Sequence, residues 1–423
     1  MLVLTAVGNP EGGRFVRPVL FEFAMLDKKR ALLFIGREDL AEPVVLELAL
    51  DRAALRESLG HSGAHRWPDN AEFGVWQELL GALLEPVAEW SQPGDVVWFV
   101  PHAELHAVPL HALKLPGGSL IDRNPVCYTP SASLMSHCRD RRSERRSSVL
   151  VAADSRSDRR LRYAALEARE VAAAFDHAIV HLGDEATLTT IDEDLSSKQP
   201  AIDVLHLACH AEFDDMDAME SAIALAGQER LTAHRLARFR TEVSLISLSA
   251  CGSGRTRLVP GDELLGLSRA AFAAGAAALV VSLWSVEELS TALLMREFYR
   301  GLGTGMGTAE ALRAAQRHVR DLTVRDLSRW CAEVRAAAAE AGECELVARL
   351  DLDLAHAAYL GRDFESALSR YRTLAAAGPN SEAEAGVLYS RRALRHPLPP
   401  DDTRRPYADP HYWAPFILIG DWL

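Results

Sequence analysis

The sequence predicts an α/β protein: a mostly parallel sheet flanked by helices, with an antiparallel β meander before it and an α-helical insert near the C-terminus. Three observations carry this expectation. From residue 148 to about 320, apolar runs of strand length alternate with helix-length stretches, the pattern of parallel strands joined by crossover helices. Residues 15–50 instead hold three strand-forming runs separated by turn-like breaks. Residues 324–395 are alanine-rich, charged and without strand patterning.

Taken in order, residues 1–147 form an N-terminal part. Its meander runs through 19–26, 31–35 and 44–48, with Asp27-Lys28-Lys29-Arg30 as the first turn. Helices are expected over 51–59 and 71–90, the second carrying Phe73, Trp76, Leu79, Leu80, Leu83 and Leu84 at helical spacing. Pro93-Gly94-Asp95 turns the chain into 96–100, an uninterrupted apolar run that reads as a buried strand. The basic stretch 139–148 reads as a solvated linker. Residues 148–323 form an α/β core, with strands at 149–152, 203–208, 243–248 and 278–283. Helices are expected near 164–175, 232–239, 262–274, 287–301 and 308–320. Within the helical insert, 324–397, residues 362–371 followed by Pro379-Asn380 have the spacing of a tetratricopeptide helix pair. Residues 398–423 return an apolar run, 413–420, to the core as a strand.

Composition narrows the function. A chain of 423 residues, 48% hydrophobic, can fill two or three domains, and 25% charged residues exclude wholesale disorder. The net charge of −13 argues against nonspecific nucleic-acid binding, which rests on neutralising phosphates. Residues 1–7 are apolar but lack the basic start of a secretory leader. The longest uncharged run, 270–286, has 17 residues and is broken by Gly275, short of the roughly 20 a membrane helix needs. Six cysteines at 127, 138, 209, 251, 331 and 344 contain no CxxC pair, so reduced thiols and a cytoplasmic location are expected, without disulfides or a zinc ribbon.

The sharpest chemical constellation is His210 with Cys251. Each follows a predicted buried strand, with a helix expected between them. Right-handed crossover geometry brings consecutive parallel strands close together, and both residues then emerge at the carboxyl edge of the sheet, where open α/β sheets build their sites. An imidazole beside a thiol suits nucleophilic catalysis: the thiolate attacks a carbonyl, and the histidine moves the proton to the leaving group. Cys251-Gly252-Ser253-Gly254 supplies a flexible turn whose amides could hold an oxyanion. The same residue types also fit an inert core cysteine and a hydrogen-bonded histidine, and the pair alone leaves both readings open. Other groupings carry less. His102, His106 and His111 flank a strand exit, but no cysteine or acid completes a metal set. Asp214, Asp215, Asp217 and Glu220 lack the spacing of a calcium loop, and Gly252-Ser253-Gly254 lacks the third glycine of a dinucleotide fingerprint.

Longer motifs add a resemblance. His206-Leu207-Ala208-Cys209-His210-Ala211, Leu248-Ser249-Ala250-Cys251-Gly252-Ser253-Gly254, Gly261-Asp262-Glu263-Leu264-Leu265-Gly266-Leu267 and Ser282-Leu283-Trp284-Ser285-Val286 follow one another in that order. The chain closes on 411–421, His-Tyr-Trp-Ala-Pro-Phe-Ile-Leu-Ile-Gly-Asp. Together these resemble the CHAT family of caspase-like cysteine peptidases, relatives of caspases and separases, over nearly the whole chain. The resemblance implies a caspase-like sheet, His210 as catalytic histidine, Cys251 as nucleophile, and amides at Ala211 and Gly252 around the oxyanion. Three positions depart from the family pattern. Ala211 replaces the usual glycine after the histidine; Gly-Ser-Gly follows the cysteine where many relatives carry Glu-Thr-Gly; and the acid after the Ser-Leu-Trp-x-Val motif is Glu287 or Glu288.

In this clan the residue before the cut bond sits in a pocket beside the cysteine. Asp262 and Glu263 could attract Arg or Lys there; alternatively Asp262 caps the following helix with Glu263 in its first turn. Trp284 reads equally as a wall of the substrate groove or as a core residue. The resemblance implies a protein substrate cut at few sites, no cofactor, no metal, no membrane or nucleic-acid partner, and by analogy a part in bacterial defence or regulated cell death. Two rivals stand beside it: a catalytically dormant scaffold that binds a protein through its helical insert, and an enzyme inactive until a partner or ligand orders the loop after Cys251.

Overall fold

The computed structural model describes the chain except residues 1–6, 9–14, 62–69, 144–145, 155–159, 198–200, 215, 240, 242, 250–256 and 260–262. Two units emerge: Met1–Arg317 with Pro410–Leu423, and His318–Asp409.

The first unit is built on one eleven-stranded sheet. In chain order its strands are β1 (Pro18–Met25), β2 (Arg30–Gly36), β3 (Val44–Ala49), β4 (Val96–Val100), β5 (Val126–Tyr128), β6 (Ser148–Ala153), β7 (His177–Leu182), β8 (Val204–Ala208), β9 (Leu245–Leu248), β10 (Ala278–Ser282) and β11 (Phe416–Gly420). Across the sheet they run β7-β6-β8-β9-β10-β11-β5-β4-β1-β2-β3. Pairing is antiparallel only within the meander β1-β2-β3 and between β10 and β11; the other neighbours are parallel. Burial follows position. The central strands β4, β6, β8, β9, β10 and β11 are buried along their whole length, as parallel strands covered on both faces must be, whereas the edge strand β3 alternates between half-buried and exposed.

Helices α1 (Arg52–His61), α2 (Asn70–Trp90), α3 (Ala132–Asp140), α4 (Ala164–Ala172), α5 (Leu188–Ser196), α6 (Leu267–Ala274), α7 (Glu288–Gly303) and α8 (Thr308–Asp321) flank the sheet. α4 packs on β6, β7 and β8 and against α7. The predicted architecture is therefore the observed one, with local corrections. The basic stretch after α3 is not a solvated linker. It passes the buried end of β11, where the Asp421 carboxylate, 1% exposed, needs a cation, and Arg142 meets it at 2.6 and 2.5 Å. Arg146 donates to the Leu423 carbonyl at 3.0 Å and to Ser244 Oγ at 3.3 Å. The helix expected near 262–274 begins only at Leu267, because Glu263–Leu265 pairs antiparallel with Arg257–Val259. The helix expected near 232–239 spans only Ala233–Leu236: Thr232 closes the short strand Arg230–Thr232 and caps the helix, its hydroxyl accepting from Arg235 N–H.

The second unit holds four helices, α9 (Val324–Glu340), α10 (Cys344–Leu360), α11 (Phe364–Ala377) and α12 (Ser381–Ala393), each packed on the next. The sequence made one helix pair legible; α9 and α10 extend it. Side chains cap these helices: Thr323 and Asp326 reciprocally on α9, Asp363 on α11 and Asn380 on α12. The core between α10, α11 and α12 gathers Leu352, Ala355, Ala367, Tyr371 and Ala383. Gly386 is required there, since a Cβ would lie 2.5 Å from the Tyr371 ring.

Candidate active site

β8 and β9 run side by side and parallel, with Leu207 level with Leu248. Each side chain of β8 alternates across the sheet. His206 is fully buried, with Nε2 3.0 Å from Glu167 Oε1 on α4 and Nδ1 3.0 Å from the Tyr299 hydroxyl on α7. Burial pushes the Tyr299 phenol up, so it stays a neutral hydrogen-bonding group. The strand ends at Ala208, Cys209 donates its thiol to the Ala152 carbonyl at 3.4 Å, and His210 emerges half-buried at the carboxyl edge. Its carbonyl accepts from Ala224 N–H at 2.8 Å, which fixes the chain as it leaves the sheet. Ala211 opens the next short strand, paired with Ile223. It is not among the residues with positive φ, so the backbone there does not call for the glycine that the family usually places.

From β9 the chain passes Ser249, buried at 6% exposure, toward Cys251. Cys251, Gly252 and Asp262 lie outside the described residues. Glu263 stands in a strand opposite Val259, not in the first turn of a helix. Trp284 is a core residue: it is 8% exposed, donates Nε1–H to the His411 carbonyl at 3.2 Å and meets Phe73 edge-on at 6.0 Å between ring centroids.

His210 and Ser249 border a shallow, open cleft, lined also by Leu161, Tyr163, Glu167 and Glu288. The two acids after the Ser-Leu-Trp-x-Val motif divide their work. Glu287 caps α7, accepting from the N–H groups of Leu289 and Ser290 at 3.1 and 2.6 Å. Glu288 turns to the cleft and accepts from Arg162 N–H at 2.6 Å. Sequence reading missed Asp154 altogether. It follows β6, the strand beside β8, at φ +51°, with its N–H on the Ala208 carbonyl at 3.2 Å. Its carboxylate accepts from Leu161 N–H at 3.0 Å. Burial raises its carboxyl, while the Leu161 amide, Arg160 and the nearby His210 charge oppose that rise. An acid at the carboxyl end of a buried strand adjacent to the histidine's strand was the available signal.

The remaining sequence candidates sit apart. His111 is in the core between Tyr128 Oη, 3.0 Å from Nδ1, and Gln316 Nε2, 3.2 Å from Nε2. Asp214 and Asp217 bind their own backbone, accepting from Met216, Asp217 and Met219 amides at 2.8–3.0 Å. Burial raises the thiols of Cys127 and Cys138, the latter to about 12, so neither is a ready nucleophile.

Residues 75–421 match the CHAT domain model. The chain belongs to the CHAT domain family. No curated protein matches it as a relative. Its fold is shared with the separase of Saccharomyces cerevisiae, solved with securin: the TM-score is 0.50 at 9% identity, over 71% of this chain and 29% of that one. RgpB, the gingipain R cysteine proteinase of Porphyromonas gingivalis, aligns at a TM-score of 0.38 and 13% identity, over 58% of this chain and 63% of that one. The CHAT chain thus spans less than two thirds of either solved protein. Within its family the caspase-like sheet expected from sequence is present, with His210 at the carboxyl edge of β8 and β9 beside it. Among the described residues, no helix of this CHAT chain is long and apolar enough to cross a membrane.

Proposed function

We propose that this CHAT chain is a cysteine endopeptidase working through Cys251 and His210. The observation that supports the reading is the parallel neighbourhood of β8 and β9. One delivers His210 to the sheet edge, and the other leads, three residues beyond Leu248, to Cys251. In the proposed reaction His210 takes the thiol proton and the Cys251 sulfur attacks a peptide carbonyl. The carbon–nitrogen bond breaks, the imidazolium protonates the leaving amine, and an acyl-enzyme remains. Water, deprotonated by His210, then releases the new carboxylate and restores the thiol. Backbone amides at Gly252 and near Ala211 hold the oxyanion in both steps.

The substrate is a protein cut at limited sites. The separase structure includes a protein partner, securin, which agrees with that substrate class. By family analogy the cut activates a partner in bacterial defence or regulated cell death, in the cytoplasm. The helical unit favours a docked partner: α12 exposes Leu388 and Tyr389 at 65% and 59%. It also keeps a second reading in play, a scaffold whose chemistry is dormant.

The test compares wild type, Cys251→Ala and His210→Ala by mapping new protein N-termini after incubation with a lysate of the source cells. Cuts made by wild type alone are expected, with both variants slower by at least about a thousandfold. Identical cuts in all three samples would remove Cys251 from the chemistry. A Cys251→Ala chain that kept every biological effect would establish the scaffold.

A further inference from the structure

In the second unit each helix packs on the next, and the last of such a stack is expected to be polar on its outer face, since no helix follows to cover it. α12 breaks that expectation. It packs on α11 and lightly on α10, with Ala383, Gly386 and Ser390 as its buried residues. Beyond them Leu388 is 65% exposed and Tyr389 59%. Single exposed apolar residues are ordinary on a protein surface. These two are the only consecutive large apolar side chains exposed among the described residues. Arginines stand beside them. Arg391 and Arg392 are exposed and follow Leu388 by three and four positions, the spacing of one helix face, and the exposed Arg395 lies in the turn that closes the helix. Charge here runs against the rest of the chain, which carries −13: residues 366–396 hold five arginines against Glu382 and Glu384. Glu382 is already paired with Arg349 on α10 at 3.1 Å. Among the described residues no carboxylate pairs with Arg391, Arg392 or Arg395. The helix macrodipole favours cations in a last turn, but it gives no reason for Leu388 and Tyr389 on the same helix.

We propose that the outer face of α12 docks an acidic amphipathic helix of a partner protein, which takes the place of a next helix in the stack. The inference rests on the docking role given above to the helical unit, whose partner it specifies, and does not depend on Cys251. Apolar residues three or four apart on the partner helix cover Leu388 and Tyr389. Aspartates or glutamates beside that stripe meet Arg391, Arg392 and Arg395, whose planar forks take a carboxylate with two hydrogen bonds. The two parts of the face do different work. Leucine and tyrosine supply the area that is desolvated on binding, and the arginines select the sign of the partner and speed its encounter. A basic helix would set like charges against each other, and a neutral one would cover the guanidinium groups without pairing them. A second copy of this chain, meeting α12 across a twofold axis, would bring the same arginines face to face. A nucleic-acid backbone would satisfy the arginines but leave Leu388 without an apolar partner.

The test selects phage-displayed random peptides about 16 residues long, some four helical turns, on the full Cys251→Ala chain, so that no bound peptide is cut. Selected peptides are then titrated by fluorescence anisotropy. The expected winners are acidic, carry large apolar residues three or four apart, and gain helical circular dichroism when bound. Two multiple variants probe the face: Leu388→Ser with Tyr389→Ser, and Arg391→Glu with Arg392→Glu and Arg395→Glu. Each should weaken binding at least about tenfold. Raising salt from about 0.1 M to 1 M should weaken binding to the unchanged face as well. All five side chains are exposed, so the thermal melts of both variants should match that of the parent. Replacing the acids of a selected peptide by lysine should restore its binding to the charge-reversed chain, which misfolding could not do. Selection of no acidic peptide, undiminished binding to both variants, or tighter binding of a single-stranded RNA oligonucleotide at this face would overturn the proposal. So would self-association of the chain in sedimentation that Leu388→Ser with Tyr389→Ser abolishes, since a second copy would then cover α12. Each of these results leaves the role of Cys251 to the mapping of new N-termini.

Discussion

Asp421 is 1% exposed, and the Arg142 guanidinium meets both of its carboxylate oxygens. Removing one partner of such a buried pair strands the other charge, which costs about 3–5 kcal/mol. Arg142→Ala should lower the unfolding free energy by that amount in urea titration, while replacing both residues with apolar side chains should restore much of it. His111 makes a different prediction. Burial pushes its pKa down to about 3, so the folded ring stays neutral, accepting from Gln316 at Nε2 and donating from Nδ1 to Tyr128 Oη. The unfolded imidazole titrates near 6.5. The folded value lies below the unfolded one, so the stabilisation is complete above about pH 6.5 and declines as pH falls toward 3, by up to about 1.4 kcal/mol per pH unit. His111→Gln should flatten the pH dependence of urea midpoints measured across that window. Neither effect was legible in the sequence. Arg142 stood in a run of basic residues that looked solvated, and its partner lies 279 positions away.

Elements were legible where one strong local pattern met no tertiary competitor. The run at 96–100 is apolar at every position and became the buried strand β4. The stripe from Phe73 to Leu84 became the inner face of α2, with Phe73, Trp76, Leu80, Leu83 and Leu84 buried. Competition explains the misses. Glu263–Leu265 has helix-forming residues, yet pairing with Arg257–Val259 holds it as a strand. β11 shows how strict such tertiary demands are. It is inserted between β10 and β5, and its last residue, Gly420, has φ +97° with the Ala277 carbonyl 2.5 Å from where a Cβ would sit. Gly420→Ala adds both a strained backbone and a steric overlap, so a loss of about 2 kcal/mol or more is expected in equilibrium unfolding. A change within about 0.5 kcal/mol would show that the strand end relaxes freely.

At the scale of the whole molecule, the site could be read only as far as topology carries. Order along the chain predicts a common sheet edge for His210 and Cys251, because consecutive parallel strands pair with their neighbours. It could not place Tyr163 or Glu167 at the cleft with His210, since they reach it through α4, nor Asp154 at the end of β6, because both elements precede β8 in sequence and adjoin it only in space. The same dependence on distant pairing governs folding. β11 comes from the final residues, yet it stands in the middle of the sheet, paired through five positions with β10. Without it, β10 and β5 would expose apolar, unpaired edges in what is now the core, a template for aggregation. The Leu423 carbonyl, which Arg146 and Thr308 both use, would be lost as well. A chain ending at residue 409 retains every residue assigned to the cleft and to catalysis, so a purely local view predicts an active enzyme. Pairing across the sheet predicts instead that this truncated chain loses its cooperative thermal transition, aggregates, and does not cleave. Circular dichroism melts and light scattering on the full and truncated chains distinguish the two, and a soluble, cooperatively melting truncation would show that the ten strands from β7 through β10 and from β5 to β3 can close without β11 between them.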